Sequence, residues 1–180
     1  MKKVLFIILS IILLNPGCHC KKESDAPGLP PATQTGANTL GFYLNGEAWV
    51  PKGFNGRPNL TWYYDPGYAD GNLNISAYRF LSEANRQYFG LGGGGVTGTG
   101  TYKIVTLKSG DSKVGISFVR LIDSCEIDAY DTTIYRIGEM TITKFDTSNG
   151  IISGTFWATI YSPSCKDTLK ITNGRFDLGN

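Results

Sequence analysis

Asn-Gly pairs punctuate this chain at Asn45-Gly46, Asn55-Gly56, Asn149-Gly150 and Asn173-Gly174, and Asp70-Gly71 adds an Asp-Gly of the same kind. Such pairs accept positive φ at both positions, which is what the centre of a tight hairpin turn demands. Ser109-Gly110-Asp111 is a further turn signal. Between the turns lie short runs rich in β-branched and aromatic side chains. They predict strands over 40–44, 48–51, 60–64, 73–80, 87–91, 101–107, 113–121, 133–137, 139–145, 151–161, 168–172 and 175–178. Alternation is clearest at Leu73, Ile75, Ala77, at Val114, Ile116, Phe118, and at Phe156, Ala158, Ile160. No window carries a long helical stripe; 81–86 suits a single turn. The expected fold is therefore all-β: an antiparallel meander, closed as a β-barrel or packed as a β-sandwich. Closure would remove the exposed strand edges that promote aggregation.

The N-terminus carries a second constraint. Lys2 and Lys3 form a positive head, and 4–14 (VLFIILSIILL) is an apolar run broken only by Ser10. Asn15-Pro16-Gly17-Cys18 follows. A charged head, a short apolar core and a small residue before the cut describe a secretory signal peptide. The run is far short of the roughly 20 apolar residues that span a bilayer. Gly17-Cys18 resembles the bacterial lipobox, in which the Cys thiol is acylated and becomes the new N-terminus. Cys18 is the preferred lipidation site, with Cys20 the alternative; bulky His19 precedes Cys20 where a small residue is wanted. Acyl chains contribute about 0.8 kcal/mol per buried CH₂, enough for two or three chains to hold a protein on a membrane. The expected organisation is a signal peptide over 1–17, a flexible Pro-, Gly-, Ser- and Thr-rich tether over 18–38, and one all-β domain over 39–180.

Charge narrows the function. Lys plus Arg number 17 against 15 Asp plus Glu, and loss of Lys2 and Lys3 with the leader leaves 15 against 15. No basic run occurs in the domain, so no nucleic-acid partner is expected. Cys125 and Cys165 are the two domain cysteines, and export would place them in an oxidising setting. They are either a disulfide closing a loop of about 40 residues, which chain entropy makes worth about 4 kcal/mol, or two free thiols. Two Cys with no nearby His do not complete a zinc site.

The sole His is His19, outside the domain. No Ser-His-Asp or Cys-His centre can be built within it, and no catalytic residue, metal ligand or cofactor is assigned. Asp123, Glu126, Asp128 and Asp131 cluster in DSCEIDAYD, but their spacing fits no calcium loop and reads as a solvated turn. Gly93, Gly95 and Gly98 give a G-x-G-x-x-G followed by a β-run, not a helix, which reads as a flexible loop or glycine-rich strand. The candidate ligand contacts are aromatic: Trp62, Tyr63, Tyr64 and Tyr68 in one dense turn, and Trp157 and Tyr161 on an alternating strand. Such rings stack on sugars and other flat apolar groups, although strand aromatics more often belong to a core.

The block Leu29 to Asn38 (LPPATQTGAN), the run Leu44-Asn45-Gly46-Glu47-Ala48-Trp49-Val50-Pro51 and the closing Ile171-Thr172-Asn173-Gly174-Arg175-Phe176-Asp177 resemble a family of uncharacterised Gram-negative envelope lipoproteins. That family carries a Cys-Lys-Lys tether, an NG-x-x-W hairpin and a terminal strand pair. Its Cys-Lys-Lys falls on Cys20-Lys21-Lys22, which is the argument for Cys20; Phe42 stands where relatives often have Cys, so a family disulfide there is missing. The resemblance implies lipid anchoring at the outer membrane or cell surface and brings no catalytic residues. The expected function is a lipid-anchored, non-catalytic β-domain that binds a glycan or protein ligand. The alternative is a glycan hydrolase working through carboxylates.

Overall fold

The computed structural model describes residues 26–180, and within them the chain is all-β. The strands are β1 (Thr39–Leu44), β2 (Glu47–Trp49), β3 (Leu60–Asp65), β4 (Asn72–Phe80), β5 (Arg86–Gly93), β6 (Gly100–Ile104), β7 (Val114–Arg120), β8 (Cys125–Ile127), β9 (Tyr135–Asp146), β10 (Ile151–Ser162) and β11 (Asp167–Leu178). They make one sheet in the order β2-β1-β11-β10-β9-β6-β7-β5-β4-β3, with β8 added to β7.

The simple meander holds only in parts. Consecutive strands pair antiparallel in β3-β4-β5 and in β9-β10-β11. β6, however, lies between β9 and β7 and meets β7 in parallel at Ile104–Val114. The first strand pairs with the last, β1 with β11. The barrel is not formed: the sheet path ends at β2 and β3, which share no ladder. An isolated bridge between Lys52 and Arg79 ties the stretch after β2 to β4. The sheet instead folds back on itself as in a sandwich. Phe89 of β5 stacks on Phe156 of β10 with ring centroids 5.6 Å apart, so the two halves face each other across one core.

The turn signals separate into two kinds. Asn45-Gly46 joins β1 to β2 as a two-residue hairpin, with φ of 50° and 87° and Leu44 opposite Glu47. Asn149-Gly150 lies in the β9–β10 turn. Asn55-Gly56 sits in the longer β2–β3 connection. Asn173-Gly174 is no hairpin, because 168–172 and 175–178 belong to one strand. Phe156 pairs with Gly174 and Ala158 with Ile171, so β11 advances three residues while β10 advances two. Asn173 at φ 52° absorbs the extra residue as a bulge. Similarly, 133–137 and 139–145 merge into β9, where a Cβ on Gly138 would collide with the Trp157 carbonyl. β8 is a three-residue strand that the sequence pattern did not announce.

The domain begins earlier than Thr39. Ala26 and Leu29 are buried, and residues 26–38 lie as a strap across the outer side of the sheet. The strap is held by Asp177, itself 1% exposed. Its carboxylate accepts from Thr33 Oγ1 at 2.6 Å, Gly36 N at 2.9 Å, Thr35 N at 3.0 Å, Ala37 N at 3.2 Å and Ser153 Oγ at 2.7 Å. Burial alone would raise this carboxyl's pKa; the hydroxyls of Thr33 and Ser153 and the amides of Thr35 and Gly36 outweigh it and hold the group well below the usual carboxylate range. The flexible-tether reading therefore does not apply to 26–38, and the remainder, 18–25, lies outside the described residues, as do 1–17.

Cys125 and Cys165 are bonded, with Cα atoms 4.2 Å apart. The bridge fastens β8 to the 3-10 turn at Pro163–Cys165. Ser162 and Ser164 reinforce it, both donating to the Glu126 carbonyl at 3.0 and 2.8 Å.

Two outcomes are expected in urea unfolding. Asp177→Asn turns an amide donor toward a nest of donors and lowers stability by about 3 kcal/mol. Because the folded-state pKa is depressed, the wild-type clasp is at full strength above about pH 4 and weakens only as pH falls toward the lowered value, whereas the Asn variant lacks that acid dependence. Replacing Cys125 and Cys165 by Ala costs about 4 kcal/mol or less, as chain entropy sets for a 40-residue loop.

Candidate functional site

Strand alternation sorts the aromatic candidates. On β3, Trp62 and Tyr64 point to the interior side. Trp62 Nε1 donates to the Gly179 carbonyl at 3.3 Å. The Tyr64 hydroxyl donates to the Val96 carbonyl at 2.9 Å, and its ring meets Phe145 edge-on at 5.2 Å. Both are half-buried against the core, and with Tyr63, Thr147, Gly150, Ile152 and Asn180 they line a concavity of about 290 Å³ at the sheet's margin. Tyr63 points out, its hydroxyl accepting from Asn72 Nδ2, and Tyr68 is exposed on the β3–β4 loop. Trp157 and Tyr161 are on the outer side of β10, as expected from alternation with the buried Phe156 and Ile160. The six residues thus do not converge on one site.

Two separate outer surfaces result. The first is the open face of β9 and β10. Register places Tyr135 opposite Tyr161, Ile137 opposite Thr159 and Glu139 opposite Trp157. Tyr135, Ile137, Trp157 and Tyr161 are all exposed, at 61%, 49%, 41% and 50%. Tyr135 and Ile137 were not singled out from sequence, although the alternation Tyr-Arg-Ile carries the signal.

The second surface is a trough on the opposite half of the sheet. Thr61, Ser76, Gly90 and Ser117 stand in one cross-strand row over β3, β4, β5 and β7. Their inward neighbours Ile75, Phe89, Leu91, Ile116 and Phe118 are buried, so this row faces outward. Gly90 leaves the floor low: a Cβ there would fall 2.5 Å from Ser117 Oγ. Tyr78 and Tyr88 form one wall, and Arg57 stands on the loop beside them. The Tyr78 hydroxyl fixes that loop by accepting from Asn55 N at 3.2 Å and donating to the Arg57 carbonyl. The concavity measures about 440 Å³ and its lining contains no carboxylate. That size falls within the ordinary range for small-ligand sites. Small hydroxyl residues beneath tyrosine rings suit a ligand with both hydroxyls and apolar ring faces.

Three of the four clustered carboxylates have local partners for their side chains, and Glu126 takes part through its backbone. Asp123 is bound by Arg120 Nε and Nη2 at 2.9 and 2.6 Å, and that hydrogen bond lowers its pKa. Asp128 accepts from Tyr130 N, and Asp131 from Thr133 N and Oγ1, each closing its own turn. Arg136 gathers the carbonyls of Asp128, Ala129 and Asp131 from below. Among the described residues no group of three or more His, Cys, Asp or Glu is arranged to hold a metal ion. The glycine-rich run ends β5 and leads to strand β6, without the helix a dinucleotide site needs. Cys18, Cys20 and His19 lie outside the described residues.

Trp62→Phe removes the bond to the Gly179 carbonyl and is expected to cost about 1 kcal/mol in urea unfolding while leaving ligand binding unchanged. No family model, curated protein or solved structure matches the chain.

Proposed function

We propose that this chain is a lipid-anchored binding protein of the Gram-negative envelope, held by acylated Cys18, or Cys20 in its place, and acting without catalysis. The observation that carries the binding reading is the trough on β3, β4, β5 and β7. It offers hydroxyls of Thr61, Ser76 and Ser117 below and the exposed Tyr88 beside them, with Tyr78 buried behind it as support. A glycan is the ligand class this favours, since sugars present hydroxyls at their edges and apolar patches on their faces. A protein segment is the alternative occupant. A trough without a carboxylate favours binding over hydrolysis by paired acids. The leader residues Lys2 to Gly17 support export, and the Cys125–Cys165 bond accords with an oxidising compartment.

Glycan and peptide arrays probed with the intact protein test this. Gly90→Val fills the floor at a position whose backbone suits a β-branched residue, and Tyr88→Ala removes a wall. Each is expected to weaken binding about tenfold, or about 1.4 kcal/mol, with urea unfolding showing the fold retained. Equal binding by wild type and both variants moves the site elsewhere; no binding to any glycan or peptide class overturns the reading.

A further inference from the structure

The two outer surfaces point in opposite directions, because Phe89 beneath the trough and Phe156 beneath the β9–β10 face stack on each other. The described chain begins, in the strap, at the margin of the β9–β10 face. Pro27 accepts a hydrogen bond from the Tyr43 hydroxyl, and Gly28 lies against Ala48. Tyr43 pairs with Thr172, which sits in the β11 bulge across from Trp157. Tyr43 and Trp157 are therefore two strands apart, about 10 Å.

We infer that the β9–β10 face rests on the bilayer surface into which the acyl chains insert. This inference depends on the lipid anchor proposed above. Cys18 precedes Ala26 by eight residues and Cys20 by six. The fully extended reach is then about 28 Å or about 21 Å, measured from a point beside the face. The anchor therefore holds Tyr135, Ile137, Trp157 and Tyr161 close to the headgroups. Tyr and Trp are the side chains whose rings partition to that boundary, apolar body inward and polar tip to water. Lys170 on β11 flanks the same outer side and suits anionic headgroups, whereas Lys103 on β6 lies opposite Glu139 of the face. The strap, clasped at Asp177, fixes the point at which the described chain begins relative to this face. With this face down, the trough opens away from the membrane toward a ligand in solution or on a neighbouring surface.

The test uses the full-length protein extracted from membranes and reconstituted in phosphatidylethanolamine–phosphatidylglycerol vesicles. Intact mass first reads acylation at Cys18 or Cys20. Emission is then quenched by brominated acyl chains or by aqueous iodide, and Trp157→Phe assigns the signal against Trp49 and Trp62. The expected result is lipid-bromine quenching that is lost in Trp157→Phe, with shielding from iodide. Tyr135→Ser with Tyr161→Ser is expected to restore iodide access while Trp157 remains in place. An acylated protein whose Trp157 is open to iodide and untouched by lipid bromines overturns the inference alone, and leaves the face to a protein or glycan partner. A chain without acyl groups overturns the anchor and the inference with it, while the array result for the trough stands independently.

Discussion

Phe42 is the side chain on which the closure of the core depends. It lies fully buried on β1, with ring centroids 4.8 Å from Trp49, 4.7 Å from Phe89 and 5.7 Å from Phe156. Those partners come from β2, β5 and β10, so one ring joins the β2 end of the sheet to both of its halves. An open sheet of this many strands would leave one apolar face in water. Folding it around Phe42 buries that face against itself and sends every second side chain outward. Trp49 accepts burial because its indole N–H donates to Gln87 Oε1 at 2.7 Å, and Gln87 Nε2 in turn donates to Asn85. Both outer surfaces are consequences of this packing.

Much of the strand content was legible because period-two alternation in β4, β7 and β10 is undisturbed by function. Strand order was not, since nothing local tells β6 to pair with β9 and to meet β7 in parallel. Asn173-Gly174 shows a specific ambiguity: positive φ at Asn serves a bulge as well as a hairpin, and only the partner's register separates them. In Trp62-Tyr63-Tyr64 all three residues are aromatic, which conceals the alternation that turns two inward and one outward. The disulfide could be named as a candidate, whereas the distance that permits it belongs to the fold.

The trough was the least visible feature, because it is made by missing atoms. Sequence reading favours residues that carry chemistry, and Gly90 contributes by lacking a side chain. The same glycine run also serves packing: at Gly92 and Gly93, with φ near 147° and 145°, a side chain would strike the carbonyls of Leu73 and Lys113 on the neighbouring strands. Close approach of β5 to β4 and β7 and a low outer floor thus come from one compositional bias. From sequence the run reads as a flexible loop or glycine-rich strand, with no signal for a concavity.

The pairing of β1 with β11 has a consequence in time. The earliest strand to emerge during synthesis finds its longest ladder only when the final dozen residues arrive, and the Asp177 that secures the strap is among the last of them. Closing so large a loop is entropically slow, and few contacts reward it beforehand. Until β11 is made, β1 lacks its longer ladder and the strap lacks its clasp, so this edge of the sheet closes after the ladders of β3, β4, β5 and β7 can already exist.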